Sequence, residues 1–329
     1  MLVDKILRKI KKLKISKKIY FYFCVPARIK ANFISVSNFE LEYKKRWAEH
    51  NELPKGNDCF SAVSNEQNAK LSQRLEDNRK VISWLDSNKR LKNRKVLEIG
   101  CGNGTSTIAL AEQGAIVTAI DVDEKLLLDA KIRCEIYGLN VKFYLMNAAD
   151  VGQILSNDVF DVIIFWACLE HMTLDERINS MKATYNILPS GGLWCVIGTP
   201  NRLHFFDSHT SLMPFFHWLS DELAMKYLPF VPRLEYRDHL INNEKDKLLQ
   251  FHRWGRGISF HDIEVALKPL NELNIISGLT LYYRKNNFIF NIMHRFSANG
   301  KYESFFKKLY PEIHPCFFEP YLNLIIRKN

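Results

Sequence analysis

Between residues 95 and 200 the chain alternates short apolar runs with segments whose apolar positions recur every three to four residues. The runs at 96–99, 116–121, 141–146, 160–166 and 193–199 have strand length. The segments 105–113, 124–137 and 174–187 carry helical spacing, and Gly114 and Gly138 stand where the first two of these helices should stop. Ala148-Ala149-Asp150 reads as the start of a further short helix, and Pro189-Ser190-Gly191-Gly192 as the turn into the fifth strand. Strands alternating with amphipathic helices in this way specify an α/β fold, doubly wound, with a mostly parallel sheet covered on both faces. In such sheets ligands bind beyond the carboxyl ends of the strands, where the strand order reverses. Gly100, Asp121, Asn147 and Trp166 all fall at those ends.

The flanks are less regular. Residues 64–90 read as a polar amphipathic helix with Leu71, Leu75, Val81 and Leu85 among its apolar positions, whereas 20–62 are aromatic-rich without a period. After Asn201 the strand–helix alternation breaks at a stretch dense in aromatic and histidine residues, and helical signals return at 220–228 and 259–272. Apolar segments at 276–284 and 319–326 are expected to supply two last strands, completing seven. The expected organisation is an extension over 1–62, then one domain over 63–329 comprising a cofactor core at 95–200 and a lid-like insertion at 201–260.

Composition adds limits. Hydrophobic residues make up 47% and charged residues 25%, an ordinary globular balance. The net charge of +10 is concentrated at the start, where Lys5, Arg8, Lys9, Lys11, Lys12, Lys14, Lys17 and Lys18 face only Asp4. One basic segment is not a nucleic-acid footprint, and no nucleic-acid partner is expected. Leu2, Val3, Ile6, Leu7, Ile10 and Leu13 share one helical face among those cations, a pattern that suits an anionic membrane surface. No apolar run reaches the roughly 18 residues of a membrane-spanning helix. The seven cysteines include no Cys-x-x-Cys pair, so a reducing, cytoplasmic setting is expected, with membrane-peripheral association through residues 1–18.

The stretch Glu98-Ile99-Gly100-Cys101-Gly102-Asn103-Gly104 places glycines at every second position between a strand and a helix, where the backbone must turn sharply and a ligand must come close. It resembles the first motif of class I S-adenosylmethionine (SAM)-dependent methyltransferases. A dinucleotide fingerprint would instead leave two residues before its third glycine. Asp121-Val122-Asp123 is similar to the second motif of that family, with Asp121 implied on the ribose hydroxyls and Val122 against adenine. Asn147-Ala148 stands where many members carry an acid before the alanine. Phe165 and Trp166 match the segment where the fourth strand approaches the methionine end of the cofactor, and Leu188–Gly192 matches the turn before the fifth strand. The resemblance covers about residues 95–200. It implies a seven-stranded Rossmann-like methyltransferase fold, a site formed by Glu98, Gly100, Cys101, Gly102, Gly104, Asp121, Val122, Asn147, Ala148, Phe165 and Trp166, and SAM as cofactor.

The SAM methyl group is electrophilic by itself, so the protein must align an acceptor and exclude water, and a histidine base suits a hydroxyl acceptor. His171 follows the fourth strand beside Glu170, and its alternative role is a helix-start residue bonded to backbone. Asp207 and His209 form the second candidate set, as a base with its orienting carboxylate. An Asp-x-His pair alone is a weak metal signal, and no metal site is expected. The expected reaction is methyl transfer to oxygen of a small-molecule, glycan-precursor or lipid-linked acceptor. The competing expectation is a non-catalytic protein that keeps the fold as a scaffold.

Overall fold

The computed structural model describes residues 39, 41–43, 45–46, 65–242 and 245–329, with side-chain packing described from Lys70 onward in the first long helix. The basic segment 1–18 lies outside the described residues. Seven strands form one sheet: β1 (Lys95–Ile99), β2 (Ile116–Asp121), β3 (Lys142–Leu145), β4 (Val162–Trp166), β5 (Leu193–Pro200), β6 (Asn274–Gly278) and β7 (Tyr321–Arg327), in the order β3-β2-β1-β4-β5-β7-β6. β1 to β5 run parallel, β7 is antiparallel to β5, and β6 is antiparallel to β7. The fold is therefore the expected doubly wound α/β arrangement with a seven-stranded, mostly parallel sheet.

Side-chain alternation along the central strands separates two apolar layers. Leu97, Ile99, Ile163, Phe165, Trp194 and Val196 enter one, while Val96, Val162, Ile164, Trp166, Cys195 and Ile197 enter the other. All five residues of β4 are buried, as expected for a central parallel strand covered on both faces. Helix α1 (Asn65–Asn88) packs against α2 (Thr105–Glu112), fastened by a buried pair in which Arg79 Nε donates to Glu112 Oε2 at 2.8 Å. Helix α3 (Glu124–Ile136) starts at Asp123, whose carboxylate accepts from Lys125 N and Leu126 N. After the one-turn α4 (Val151–Ile154), α5 (Leu174–Ile187) opens on a capping box between Thr173 and Glu176.

Beyond β5 the chain departs from the expected pattern in three places. Helix α6 (Asp221–Tyr227), capped by Ser220, lies where a helix is expected, but α7 (Leu234–Asn242) and α8 (Lys247–Arg253) are additional. Phe216, Ala224, Leu228, Val231, Tyr236, Leu240 and Phe251 give this region an apolar core of its own. The helix expected over 259–272 ends as α9 (Phe260–Ala266), because Pro269 disfavours helical geometry at Lys268 and starts a separate 3-10 turn. The strand expected over 276–284 stops at Gly278. From Leu279 the apolar residues follow helical spacing, and α10 (Leu279–Asn286), α11 (Phe288–Phe296) and α12 (Ala298–Leu309) intervene before β7. The last two strands pair antiparallel and are joined through three helices. Among the described residues no helix is long and apolar enough to cross a membrane.

Candidate functional site

The strand order reverses between β1 and β4, and a cavity of about 660 Å³ opens there beyond the strand ends. Its floor is the glycine turn. Gly100, Gly102 and Gly104 have φ of +70°, +51° and +80°, each in the region that favours glycine. Their individual constraints differ. A Cβ on Gly100 would lie 2.5 Å from Cys168 Cβ, and one on Gly104 would lie 2.9 Å from Ala130, whereas one on Gly102 would meet nothing within 4 Å. The outer two glycines thus permit close packing against the β4 turn and α3. Gly102 leaves open backbone at the cavity floor.

Asp121, at the end of β2, is aimed by that turn: Oδ2 accepts from Gly102 N at 2.7 Å and Oδ1 from Asp123 N at 2.9 Å. Each oxygen keeps acceptor capacity toward the cavity, an arrangement suited to a vicinal diol. Val122, Leu126, Met146 and Ala148 line the wall beside it, an apolar slot of the kind a flat heterocycle fills. Asn147 also faces the cavity, with its side-chain oxygen accepting from Ala149 N at 2.9 Å and so capping the turn at 148–150. Arg74 of α1 also lines the cavity, a cation not anticipated from sequence although its helix was.

Other candidates from sequence lie behind this surface. Glu98 is fully buried beneath the turn and accepts from Thr107 Oγ1 at 2.6 Å; burial pushes its pKa up to about 7. Cys101 and Gly104 support the turn without lining the cavity. Phe165 and Trp166 correct the expectation for the methionine end: Phe165 is buried against Trp194, and Trp166 points into the opposite apolar layer. The wall there is Ala167 and Cys168, because Ala167 adopts φ +49° and turns the chain out of the strand one residue later. The Cys168 thiol donates to Ile99 O at 3.2 Å and closes the β1–β4 junction.

Toward the acceptor side His171 lines the cavity with Met172, Glu176 and Arg253. Its Nδ1 lies 2.7 Å from the Arg253 carbonyl oxygen, and Arg253 Nη1 donates back to the His171 carbonyl at 2.8 Å. The Arg253 guanidinium also grips both oxygens of Glu176 at 2.6 Å and, as the chief cause, holds that carboxyl down at about 2. These contacts tie the end of α8 to the start of α5 and the turn before it.

The expected Asp207–His209 couple does not form. The Asp207 carboxylate turns into its own loop, accepting from His209 N and Thr210 N at 2.9 Å and from Ser211 N and Oγ at 2.8 Å. The Thr210 hydroxyl also donates to it, and His217 Nε2 lies 3.1 Å away. Burial alone would raise this carboxyl, but His217 and the Thr210 donors outweigh it and hold it well below the usual carboxylate range. The His209 ring faces the other way, 5.7 Å between centroids from His171, over Gly255. Among the described residues Glu170, His171 and His209 bring one ligand atom each to within 4.8 Å of one another.

Residues 96–192 match the family profile of the methyltransferase domain. The sheet order, glycine turn and strand-end acid agree with that match. Residues 96–192 are a class I SAM-dependent methyltransferase domain. The cofactor of this methyltransferase domain is SAM, and the open backbone at Gly102, the aimed Asp121 carboxylate and the apolar slot beside it fit its ribose and adenine. The ubiquinone biosynthesis O-methyltransferase of Thiobacillus denitrificans is 32% identical over 121 residues, 37% of this chain and 50% of that protein. Its counterpart in Coxiella burnetii is 35% identical over 123 residues, again 37% and 50%. The chain thus spans about half the length of the relatives it matches. Among solved structures, the magnesium protoporphyrin IX methyltransferase of Synechocystis PCC 6803 is 21% identical, over 51% of this chain and 71% of that one, with a TM-score of 0.35.

Proposed function

We propose that the chain transfers the SAM methyl group to a hydroxyl oxygen of a small-molecule or lipid-linked acceptor, which enters from the side of His171 and His209. The observation that carries this reading is the placement of His171 in the wall of the cavity that Asp121 also lines, just past the end of β4, with the His209 ring 5.7 Å from it between centroids. With ribose on Asp121 and adenine between Val122 and Met146, the sulfonium would lie toward Ala167 and Cys168. A hydroxyl between that point and His171 would approach the methyl group in line. The His171 Nδ1–H is committed to the Arg253 carbonyl, which leaves Nε2 as the basic atom that can take the acceptor proton. The similarity to O-methyltransferases supports oxygen as the acceptor atom. Calorimetry with SAM and S-adenosylhomocysteine, followed by incubation with isotopically labelled SAM and a panel of phenolic and sugar hydroxyls, tests the proposal. Binding of both sulfur ligands and label incorporation into an ether are expected. Binding without transfer to any acceptor would instead favour a scaffold role.

A lipid-linked acceptor draws support from α11. Phe288, Ile289, Ile292, Met293 and Phe296 are all exposed and share one helical face, while Lys285, Arg295, Lys301, Lys307 and Lys308 lie on the same or adjoining helices. An exposed apolar stripe beside cations suits the boundary of an anionic bilayer, where each large side chain gains about 1.5–3 kcal/mol on burial. Flotation with vesicles containing an anionic phospholipid should recover the wild-type chain, and Phe288→Ser, Ile292→Ser, Phe296→Ser together should reduce recovery about tenfold or more. Equal flotation of both would remove this support while leaving the methyl-transfer reading intact.

A further inference from the structure

We propose that Glu170, His171 and His209 form a binding site for a first-row divalent cation at the acceptor side of the cavity. The site deepens the proposed function, on which only its catalytic consequence rests; cation binding stands on the geometry of the three side chains. Glu170 is the strongest indication. Its carboxyl group is completely buried, and neither oxygen makes a hydrogen bond of good geometry. A buried carboxylate with so few donors is expensive, so such a group is stabilised by a proton or by a cation. The buried Thr199 hydroxyl is the side-chain donor beside this carboxyl.

The two histidines are prepared as ligands in different ways. A carbonyl oxygen only accepts, so the 2.7 Å contact with Arg253 O places the His171 proton on Nδ1 and leaves a lone pair on Nε2, 3.9 Å from Glu170 Oε1. A backbone acceptor on the far nitrogen is the usual support of a metal-binding imidazole. His209 brings a ring nitrogen to within 4.8 Å of the His171 and Glu170 ligand atoms. Its ring rests on Gly255, where a Cβ would come within 2.7 Å of Nε2, so the glycine makes room for the ring. Ligand bonds of about 2.0–2.2 Å require the three atoms to draw together by about an ångström, which side-chain rotation supplies.

Two imidazoles with one carboxylate select Zn²⁺, Mn²⁺ or Co²⁺ over Mg²⁺ or Ca²⁺, and three protein ligands leave coordination positions open. With the cation bound, His171 Nε2 is a ligand and no longer the base, and an acceptor hydroxyl in an open position is instead made more acidic, as metal-held water is. Its proton leaves to solvent, the new O–C bond forms as the S–C bond breaks, and that bond's electron pair returns to sulfur. The products are the methyl ether and S-adenosylhomocysteine. The cation therefore selects acceptors whose hydroxyl can reach both His171 and the methyl group, above all vicinal diols able to chelate.

The full-length chain, dialysed against chelator, should bind about one Mn²⁺, seen as loss of the free-ion paramagnetic resonance signal, and calorimetry should show tighter binding of Zn²⁺. His209→Ala and Glu170→Gln should each weaken Mn²⁺ binding about 100-fold while leaving S-adenosylhomocysteine affinity unchanged. His209 is only half-buried, so its variant tests the site even if the Glu170 variant folds poorly. No Mn²⁺ binding by the wild type, or undiminished binding by His209→Ala, overturns the proposal. Mn²⁺ binding without S-adenosylhomocysteine binding would overturn the methyl-transfer reading and leave the cation site standing.

Discussion

Asp121→Ala should weaken SAM binding by about 10²–10³-fold. A hydrogen bond to a charged group contributes about 1.5–3 kcal/mol, and the carboxylate has room for two ribose hydroxyls, while each 1.4 kcal/mol is tenfold in affinity. The substitution also releases Gly102 N–H and Asp123 N–H, the two donors that hold the glycine turn and the strand end in register. Part of the loss therefore comes through a less ordered turn. Asp121→Asn separates the contributions: the amide keeps one acceptor oxygen and the side-chain volume, so it should lose about tenfold and shift the unfolding midpoint less than alanine. Calorimetry with S-adenosylhomocysteine, alongside urea unfolding of each ligand-free variant, measures both quantities. If Asp121→Ala bound the ligand as tightly as the wild type, the placement of ribose on β2 would be wrong, and the cofactor would have to lie elsewhere in the cavity.

The donor half of this site was legible in the sequence because its residues are placed by local rules. Apolar strands bounded by glycine fix the turn at 100–104, and a parallel sheet brings Asp121 to it through one βαβ unit. Even here the reading slipped where local periodicity ends. Phe165 and Trp166 continue the strand alternation into the two apolar layers, and the cavity wall is formed by Ala167 and Cys168 after an unforeseen left-handed kink. The acceptor half is assembled by long-range contacts that no spacing encodes. Arg253 reaches back to His171 and Glu176, and Gly255 passes beneath His209. The His209 ring does not meet the Asp207 carboxylate two residues before it but lies beside Glu170, 39 positions earlier in the chain. At the sheet edge, Leu279 begins helical spacing within an apolar stretch of strand-like composition, so composition alone extends the strand past Gly278, where it ends.

Asp207→Ala should cost about 3–5 kcal/mol of stability, the magnitude expected when one partner of a buried charged network is removed. The backbone N–H groups of His209, Thr210 and Ser211, the hydroxyls of Thr210 and Ser211, and the His217 ring would all lose their acceptor at once. A carboxyl whose folded pKa lies below its unfolded value of about 3.9 contributes stability fully above that value and loses it as pH falls toward the folded pKa. Wild-type unfolding free energy should therefore decline below about pH 4 by more than that of the alanine variant, and the two curves should converge in acid. Asp207→Asn keeps an acceptor oxygen and should fall between them. Turnover should follow the folded fraction in this series, because the carboxylate faces its own loop and not the cavity. His209→Ala should show the opposite split, losing turnover with little change in unfolding free energy. An Asp207→Ala protein as stable as the wild type but inactive would return Asp207 to the chemistry and require a loop conformation in which its carboxylate turns outward to the His209 ring.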